Sequence, residues 1–190
     1  SATTLSDASP PIMVTATTKD SNSNGSADQI VVTFSEPVDL SNVDNNNFTL
    51  TESAGGSPTI NGSYTSNDAT SITFNLNGVT ASNTSLTINV DYNDAAGTII
   101  DNSSNEMSFN EDTTGSDGVG PTVVITATNG TLGSPGAVVN SGSTTTDVGI
   151  ILTFTLSEPS SDFDINDIDL SAANGTISSA LTVVSSTVYT

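Results

Sequence analysis

The sequence has no cysteine, no histidine and no tryptophan, and among its 190 residues Lys19 is the sole base against 21 aspartates and glutamates. The absence of cysteine and histidine removes thiol and imidazole catalysis, zinc fingers and haem ligation. The near-absence of bases removes the counterion release on which nucleic-acid binding depends. A formal net charge of −20 also sets the chain against anionic membranes, and no apolar run is long enough for a transmembrane helix, so direct membrane insertion is not expected. What remains is oxygen chemistry: carboxylates, amides, hydroxyls and carbonyls, the ligands of hard cations and of calcium above all. Composition without disulfides but rich in Ser, Thr and Asn suits a bacterial extracellular protein, on the cell surface or secreted.

Hydrophobic residues make up 34% of the chain, which with the high charge could suggest disorder. Their arrangement says otherwise. Short alternating or β-branched runs are separated by clusters of Gly, Asn, Asp and Ser, the pattern of strands and turns. Strands are expected at Ile12–Thr17, Gln29–Phe34, Phe48–Thr51, Thr59–Tyr64, Ser71–Leu76, Ser85–Tyr92 and near Met107–Phe109. Residues 1–9 read as a tail or linker, 10–118 as a β-sandwich, and the Gly- and Pro-containing stretch Gly115–Pro121 as a boundary. The fold class is all-β.

Residues 119–190 repeat the first module. Pro121–Thr128 matches Pro11–Thr18, and Thr153–Pro159 matches the segment ending Ser35-Glu36-Pro37. Beyond the Ser-Glu-Pro, Val43, Phe48 and Leu50 share the spacing of Phe163, Ile168 and Leu170, and Asn61-Gly62 matches Asn174-Gly175. The second copy reaches only the equivalent of the strand around Phe74, so about two C-terminal strands are missing from it. Two explanations follow. The chain, which begins at Ser1 without Met, is a piece of a longer polypeptide, or a neighbour supplies the strands by β-strand addition.

Three signatures, "DQIVVTFSEPV" after the Asp20–Asp28 loop, the repeated "SEP", and "FTLSEPSSDFDINDIDLSAANGTIS", resemble the bacterial immunoglobulin-like repeats of large surface proteins and adhesins. The resemblance covers nearly all of residues 10–190 and implies two tandem immunoglobulin-like β-sandwiches. It further implies a non-catalytic role in spacing, stiffness and adhesion, with neighbouring repeats of the same polypeptide or fibre as partners and a glycan or protein as surface ligand. Other roles stay open: a fibre subunit assembled by strand donation, a glycan- or receptor-binding module, or an accessory domain of a secreted hydrolase. No exposed Trp is available as a sugar platform, and Tyr64 and Tyr92 fit a core role equally well.

The sharpest chemical motif is Asp20-Ser21-Asn22-Ser23-Asn24-Gly25-Ser26-Ala27-Asp28, close to the first nine positions of an EF-hand calcium loop. Asp20, Asn22, Asn24 and Asp28 would supply side-chain oxygens and Ser26 its carbonyl, with Gly25 at the sharp turn. Val31 stands where the bidentate Glu belongs, and only two ligands carry charge, so affinity would fall near the extracellular range of roughly 10⁻⁴–10⁻³ M. The alternative is an Asn/Gly-rich β-turn that caps its own backbone.

Three further acidic groups are candidates. Asp101 and Asn105 resemble the D-x-x-G-N turn of related modules, with Ser104 in place of Gly, and read as a metal site or an Asx-turn. Glu111, Asp112 and Asp117 at the junction read as a calcium clamp or a solvated linker. Asp162, Asp164, Asp167 and Asp169 alternate with apolar residues and read as the outer face of an extended segment. Glu36 and Glu158, equivalent by repeat, are expected to accept backbone N–H bonds in the loops that follow.

Overall fold

Alternation becomes strand at the first hairpin. β1 (Met13–Lys19) and β2 (Gln29–Phe34) pair antiparallel, and Met13, Ala16, Ile30, Val32 and Phe34 are all buried on one side. The computed structural model describes residues 7–41, 43–80, 86–93, 99–108, 111–147, 149–173, 175–177 and 180–190, apart from the Glu111 side chain. The contacts divide the chain into two units, Ser1–Gly120 and Pro121–Thr190.

The first unit continues with β3 (Val38–Asp39), β4 (Phe48–Glu52), β5 (Thr59–Ile60), β6 (Thr65–Asp68), β7 (Ser71–Asn77), β8 (Ile88–Tyr92), β9 (Ile100–Asp101), β10 (Glu111–Thr113) and β11 (Gly115–Ser116). One sheet runs β11-β1-β2-β7-β5, with β6 also on β7. A second runs β10-β8-β4, and β3 pairs with β9. Phe48 bridges the two larger sheets, its ring centroid 4.9 Å from that of Phe74 and 5.3 Å from that of Tyr92. Ile30, Ile72, Phe74, Leu86, Ile88, Val90 and Tyr92 are wholly buried between them. Each such side chain contributes about 1.5–3 kcal/mol. With no cysteine and a single base in the sequence, this burial is the main stabiliser of the sandwich. The strand expected at Thr59–Tyr64 ends at Ile60. Gly62 turns the chain at φ +73°, and Thr65–Asp68 forms a separate edge strand.

Between β10 and β11 the chain changes sheets. Thr113 pairs with Val90, and two residues later Gly115 pairs with Ala16 in the only parallel contact described. A Cβ at Gly115 would lie 2.2 Å from the Ile88 carbonyl oxygen, so the crossing needs glycine.

The second unit contains β12 (Val123–Thr131), β13 (Ser134–Val138), β14 (Ile150–Leu156), β15 (Val183–Ser185) and β16 (Val188–Tyr189), in one antiparallel sheet of order β13-β12-β14-β16-β15. Its register matches that of the first at the Ser-Glu-Pro end, although β1 carries a bulge between Met13 and Thr15 that β12 lacks. Met13 pairs with Phe34 as Val123 pairs with Leu156, and Val32 with Ile72 as Phe154 with Tyr189. The Ser of each Ser-Glu-Pro makes the same clip. The N–H of Ser35 donates to Ile12 O at 3.0 Å while Ile12 N–H donates to Ser35 Oγ at 3.1 Å; Ser157 and Thr122 do the same at 2.9 Å each. A 3-10 helix follows in both units, at Asn45–Asn47 capped by Asp44 and at Ile165–Asp167 capped by Asp164. This corrects the extended reading of Asp162–Asp169. Those acids are exposed, but Asp164 accepts from Asn166 N–H and Asp167 accepts from Asp164 N–H, a capping box that a strand could not make.

One buried carboxylate in the first unit escaped the sequence reading. Glu52, 3% exposed, accepts from the backbone N–H of Thr80 at 2.8 Å and from its hydroxyl at 2.5 Å. Glu52→Ala leaves those donors unmatched and is expected to cost about 1–3 kcal/mol in chemical denaturation. Gly56→Ala, whose methyl would fall 2.2 Å from Glu52 Oε2, is expected to destabilise in the same assay by displacing that carboxylate.

Candidate functional site

The loop Asp20–Asp28 is the connection of the β1–β2 hairpin, closed by Asp28 N–H donating to Lys19 O at 3.0 Å. Within the loop, the side-chain oxygens of Asp20, Asn24 and Asp28 accept from donors of the loop itself, while Asn22 and Ser26 serve as donors. Asp20 accepts from the N–H groups of Asn22 and Gly25, at 3.2 and 2.6 Å. Asp28 accepts from Ser21 N–H and Oγ and from Asn22 Nδ2, at 2.8, 2.8 and 2.6 Å. Asn24 Oδ1 accepts from Ser26 N–H at 2.9 Å. Ser23 and Gly25 take positive φ, 59° and 80°, which folds the loop around these bonds. Burial pushes the Asp20 carboxyl up, but the N–H groups of Gly25, Asn24, Asn22 and Ser23 outweigh it and hold it below the ordinary value of 3.8.

Asp101 and Asn105 form a tight turn even without the glycine. Ser104 adopts φ +68°. The Asp101 carboxylate accepts from Ser103 N–H and Asn105 N–H at 2.7 Å each and from Asn105 Nδ2 at 2.6 Å. That is the Asx-turn geometry. Asp117, in turn, accepts from Val119 N–H at 2.9 Å and from the Thr18 hydroxyl at 3.5 Å. Asp112 is exposed on β10 directly opposite Asp91, and Glu111 is opposite Tyr92. The Glu111 side chain lies outside the described residues, and Asp112 and Asp117 belong to no acidic triad among them.

The structure assembles a different group. Asp7, Glu36 and Asp101 each offer a carboxylate oxygen, and these oxygens lie within 4.8 Å of one another, the only such acidic triad among the described residues. Asp7 stands in the stretch read from sequence as tail, and Asn105 Nδ2 donates to its carbonyl at 3.3 Å. Glu36, expected to cap a loop, faces two other carboxylates because Ser-Glu-Pro ends β2 where β3 pairs with β9, bringing Asp101 alongside. The signal in the sequence was the pairing of a repeated Glu with a buried-turn Asp some sixty-five residues later, a contact that only strand pairing reveals.

The electrostatics of the triad are divided. Burial, then the negative charges of Asp7 and Asp101 and a hydrogen bond shared with Asp7, push the Glu36 carboxyl above its ordinary 4.5. Burial also raises Asp101, but hydrogen bonds from the Asn105 side chain and from the N–H groups of Asn105, Ser103 and Ser104 hold it below 3.8. Tyr92 is fully buried, and half-buried Tyr64 packs edge-on against Phe74 and donates its hydroxyl to Leu40 O, so neither supplies an exposed stacking surface.

Opposite pH dependences follow. Because Asp20 and Asp101 titrate lower folded than unfolded, the stability they contribute is present above about pH 4 and is lost as pH falls through their folded values. Glu36 titrates higher when folded, so it removes stability as pH rises from 4.5 through its folded value. In metal-free buffer the melting temperature is expected to peak in mildly acidic solution. Glu36→Gln is expected to raise it near neutral pH and to flatten the alkaline limb of the profile.

The bacterial Ig-like domain model matches residues 7–114. Solved structures similar to the chain include the N-terminal part of the bacterial S-layer protein SbsC, at 15% identity and a TM-score of 0.44 over 78% of this chain and 41% of that one. Domains 1–6 of surface layer protein SbsC are similar at 16% identity and a TM-score of 0.44, over 78% of this chain and 24% of that one. The chain thus spans less than half the length of either. No curated protein matches it. The matched residues run from Asp7 in the triad through the Asp101 turn to the end of β10, more than half of the sequence, and the chain belongs to the bacterial Ig-like domain family.

Proposed function

We propose that the chain is a non-catalytic structural module of a bacterial cell-surface or secreted protein, serving to space and stiffen. The observation that supports this best is the repeat of one register, one Ser-Glu-Pro clip and one capped 3-10 helix in two consecutive units of an Ig-like family chain. Repetition of one unit along the chain lengthens a protein without adding a reactive centre. The single base leaves trypsin-like proteases one cleavage point, and the charge of −20 opposes self-association. Both suit exposure outside the cell. Neighbouring repeats are then its mechanical partners, and adhesion to a glycan or protein belongs to the whole assembly. No helix among the described residues is long and apolar enough to cross a membrane. Antibodies against the chain are expected to label intact, unpermeabilised cells or the cleared medium; labelling confined to permeabilised cells would rule the reading out.

Calcium stabilisation is a second reading, supported by the triad. Two oxygens on opposite sides of a calcium ion at 2.3–2.6 Å are about 4.6–5.2 Å apart, so three oxygens mutually within 4.8 Å can share one ion. The Asp20–Asp28 loop fits less readily, since Asn22 points its amide nitrogen at Asp28 and only two of the loop's candidate ligands carry charge. Millimolar calcium is therefore expected to raise the melting temperature relative to excess EDTA. The rise is expected to vanish in Glu36→Gln and to persist in Asp20→Ala plus Asp28→Ala. Identical melts with and without calcium in the unsubstituted protein would eliminate the ion from this chain.

A further inference from the structure

The first and last strands of the first unit lie side by side and point the same way. From Met13 to Thr18, β1 is accompanied by residues 113–118. The Thr113 hydroxyl donates to Met13 O at 3.0 Å. Ala16 and Thr17 pair with Gly115 and Ser116, and the Ser116 hydroxyl lies 3.3 Å from Ala16 O and 2.8 Å from Thr17 Oγ1. Asn89 of β8 accepts from Gly115 N–H at 2.9 Å, which ties this seam to the second sheet.

Beyond the paired strands the seam continues through one side chain. Thr18 is 1% exposed, and its hydroxyl faces three acceptors: Leu86 O at 3.3 Å, Ser116 O at 3.4 Å and Asp117 Oδ1 at 3.5 Å. The same oxygen accepts from Gly118 N–H at 3.1 Å. A Cβ at Gly118 would lie 2.2 Å from Thr18 O, so the backbone there rests directly on β1. Asp117 then accepts from Val119 N–H, and Val119 is 5% exposed. The junction acid thus holds the end of the first unit down on its first strand.

The direction of this pairing decides how it answers to tension. A pull on the chain before β1 drags that strand toward Met13. A pull on the chain after Val119 drags residues 113–118 the opposite way. Parallel neighbours pulled so slide past each other, and the evenly spaced bonds between them resist together. In an antiparallel pair the two pulled ends would be adjacent, and the bonds would open one at a time.

We propose that the seam between β1 and residues 113–118, extended by Thr18 through Asp117 and Gly118, is a shear clamp that keeps the first unit folded while the chain carries tension. This deepens the reading of the unit as a spacer and rests on that reading for its use.

The test pulls the whole chain in optical tweezers through a cysteine added at each end, the sequence having none of its own. All pulls are made in excess EDTA, so that no metal contributes. The first unit is recognised by the length it releases, on the order of 350 Å at about 3.3 Å per residue. A second direction uses the N-terminal cysteine and Ala69→Cys, exposed between β6 and β7, which leaves residues 113–119 unloaded. At a fixed force, rupture is expected to be at least about tenfold slower end to end than along the second direction. Thr18→Val is expected to speed end-to-end rupture about tenfold, the rate equivalent of roughly 1.4 kcal/mol, and Thr18→Ser to restore it. Along the second direction Thr18→Val is expected to change the rate by less than about threefold. Glu52→Ala weakens the unit away from the seam and is expected to leave end-to-end rupture within about twofold, because forced unfolding follows the barrier and not the equilibrium. Ser116→Ala removes two seam bonds at an exposed position and takes the place of Thr18→Val if that variant does not fold. Equal rupture in both directions overturns the proposal, as does an acceleration by Thr18→Val that is the same in both. So does end-to-end rupture that neither Thr18→Val nor Ser116→Ala alters. Cell labelling reports where the chain works and rupture reports on the seam, so either can fail without the other.

Discussion

Twenty-one carboxylates and one lysine leave the negative charges almost no cationic partners, and the turns of this protein are built around that constraint. The carboxylates are satisfied by N–H groups instead, most often two residues ahead. Asp7 accepts from Ser9, Asp39 from Ser41, Asp44 from Asn46, Asp68 from Thr70, Asp101 from Ser103, Asp117 from Val119, Asp164 from Asn166 and Asp169 from Ser171. A hydrogen bond to an ionised acceptor is stronger than one to a neutral acceptor. Each acid therefore fixes the entry to a turn while staying near water, and the loops acquire order without disulfides. The same economy makes the Asp7–Glu36–Asp101 triad stand out. There three carboxylates face one another, and N–H donors satisfy Asp101 without removing the charge between it and Glu36.

Between these capped turns, stability comes from two sheets closing on each other. Phe48 against Phe74 and Tyr92 forms the centre of that closure, and the switch at Gly115 carries the chain from one sheet to the other. The second unit reproduces the frame of one sheet and the return of Ile168 over it. It gathers Phe154, Phe163 and Tyr189 into a small cluster, with ring centroids 5.6 and 4.9 Å apart.

Much of the frame was legible. Gln29–Phe34 and the strands around Phe48, Ser71 and Ile88 were readable because alternation and turn residues act over a few positions. Ser-Glu-Pro recurs in the sequence, and its Ser makes the same backbone clip in both units. The acids around Asp164 were misjudged because alternation over so short a span does not separate a strand from a single 3-10 turn flanked by capping carboxylates. The turn at Ser104 formed because Asp101 supplies enough hydrogen bonds to hold a serine at positive φ.

The amino-acid sequence by itself determined the chemistry available to this protein. It excluded thiol, imidazole and polycationic functions, set the charge and placed the turns, all through residue identity and local spacing. Tertiary structure alone decided which carboxylates meet. Asp7, Glu36 and Asp101 are distant in the chain and converge only because β3 pairs with β9 at the end of β2. It also decided which apolar residues are covered. Met13 and Ala16 on β1 are buried because strands distant in the chain, β8 among them, pack over that face. Burial is a property of what packs against a strand, and no local spacing encodes that.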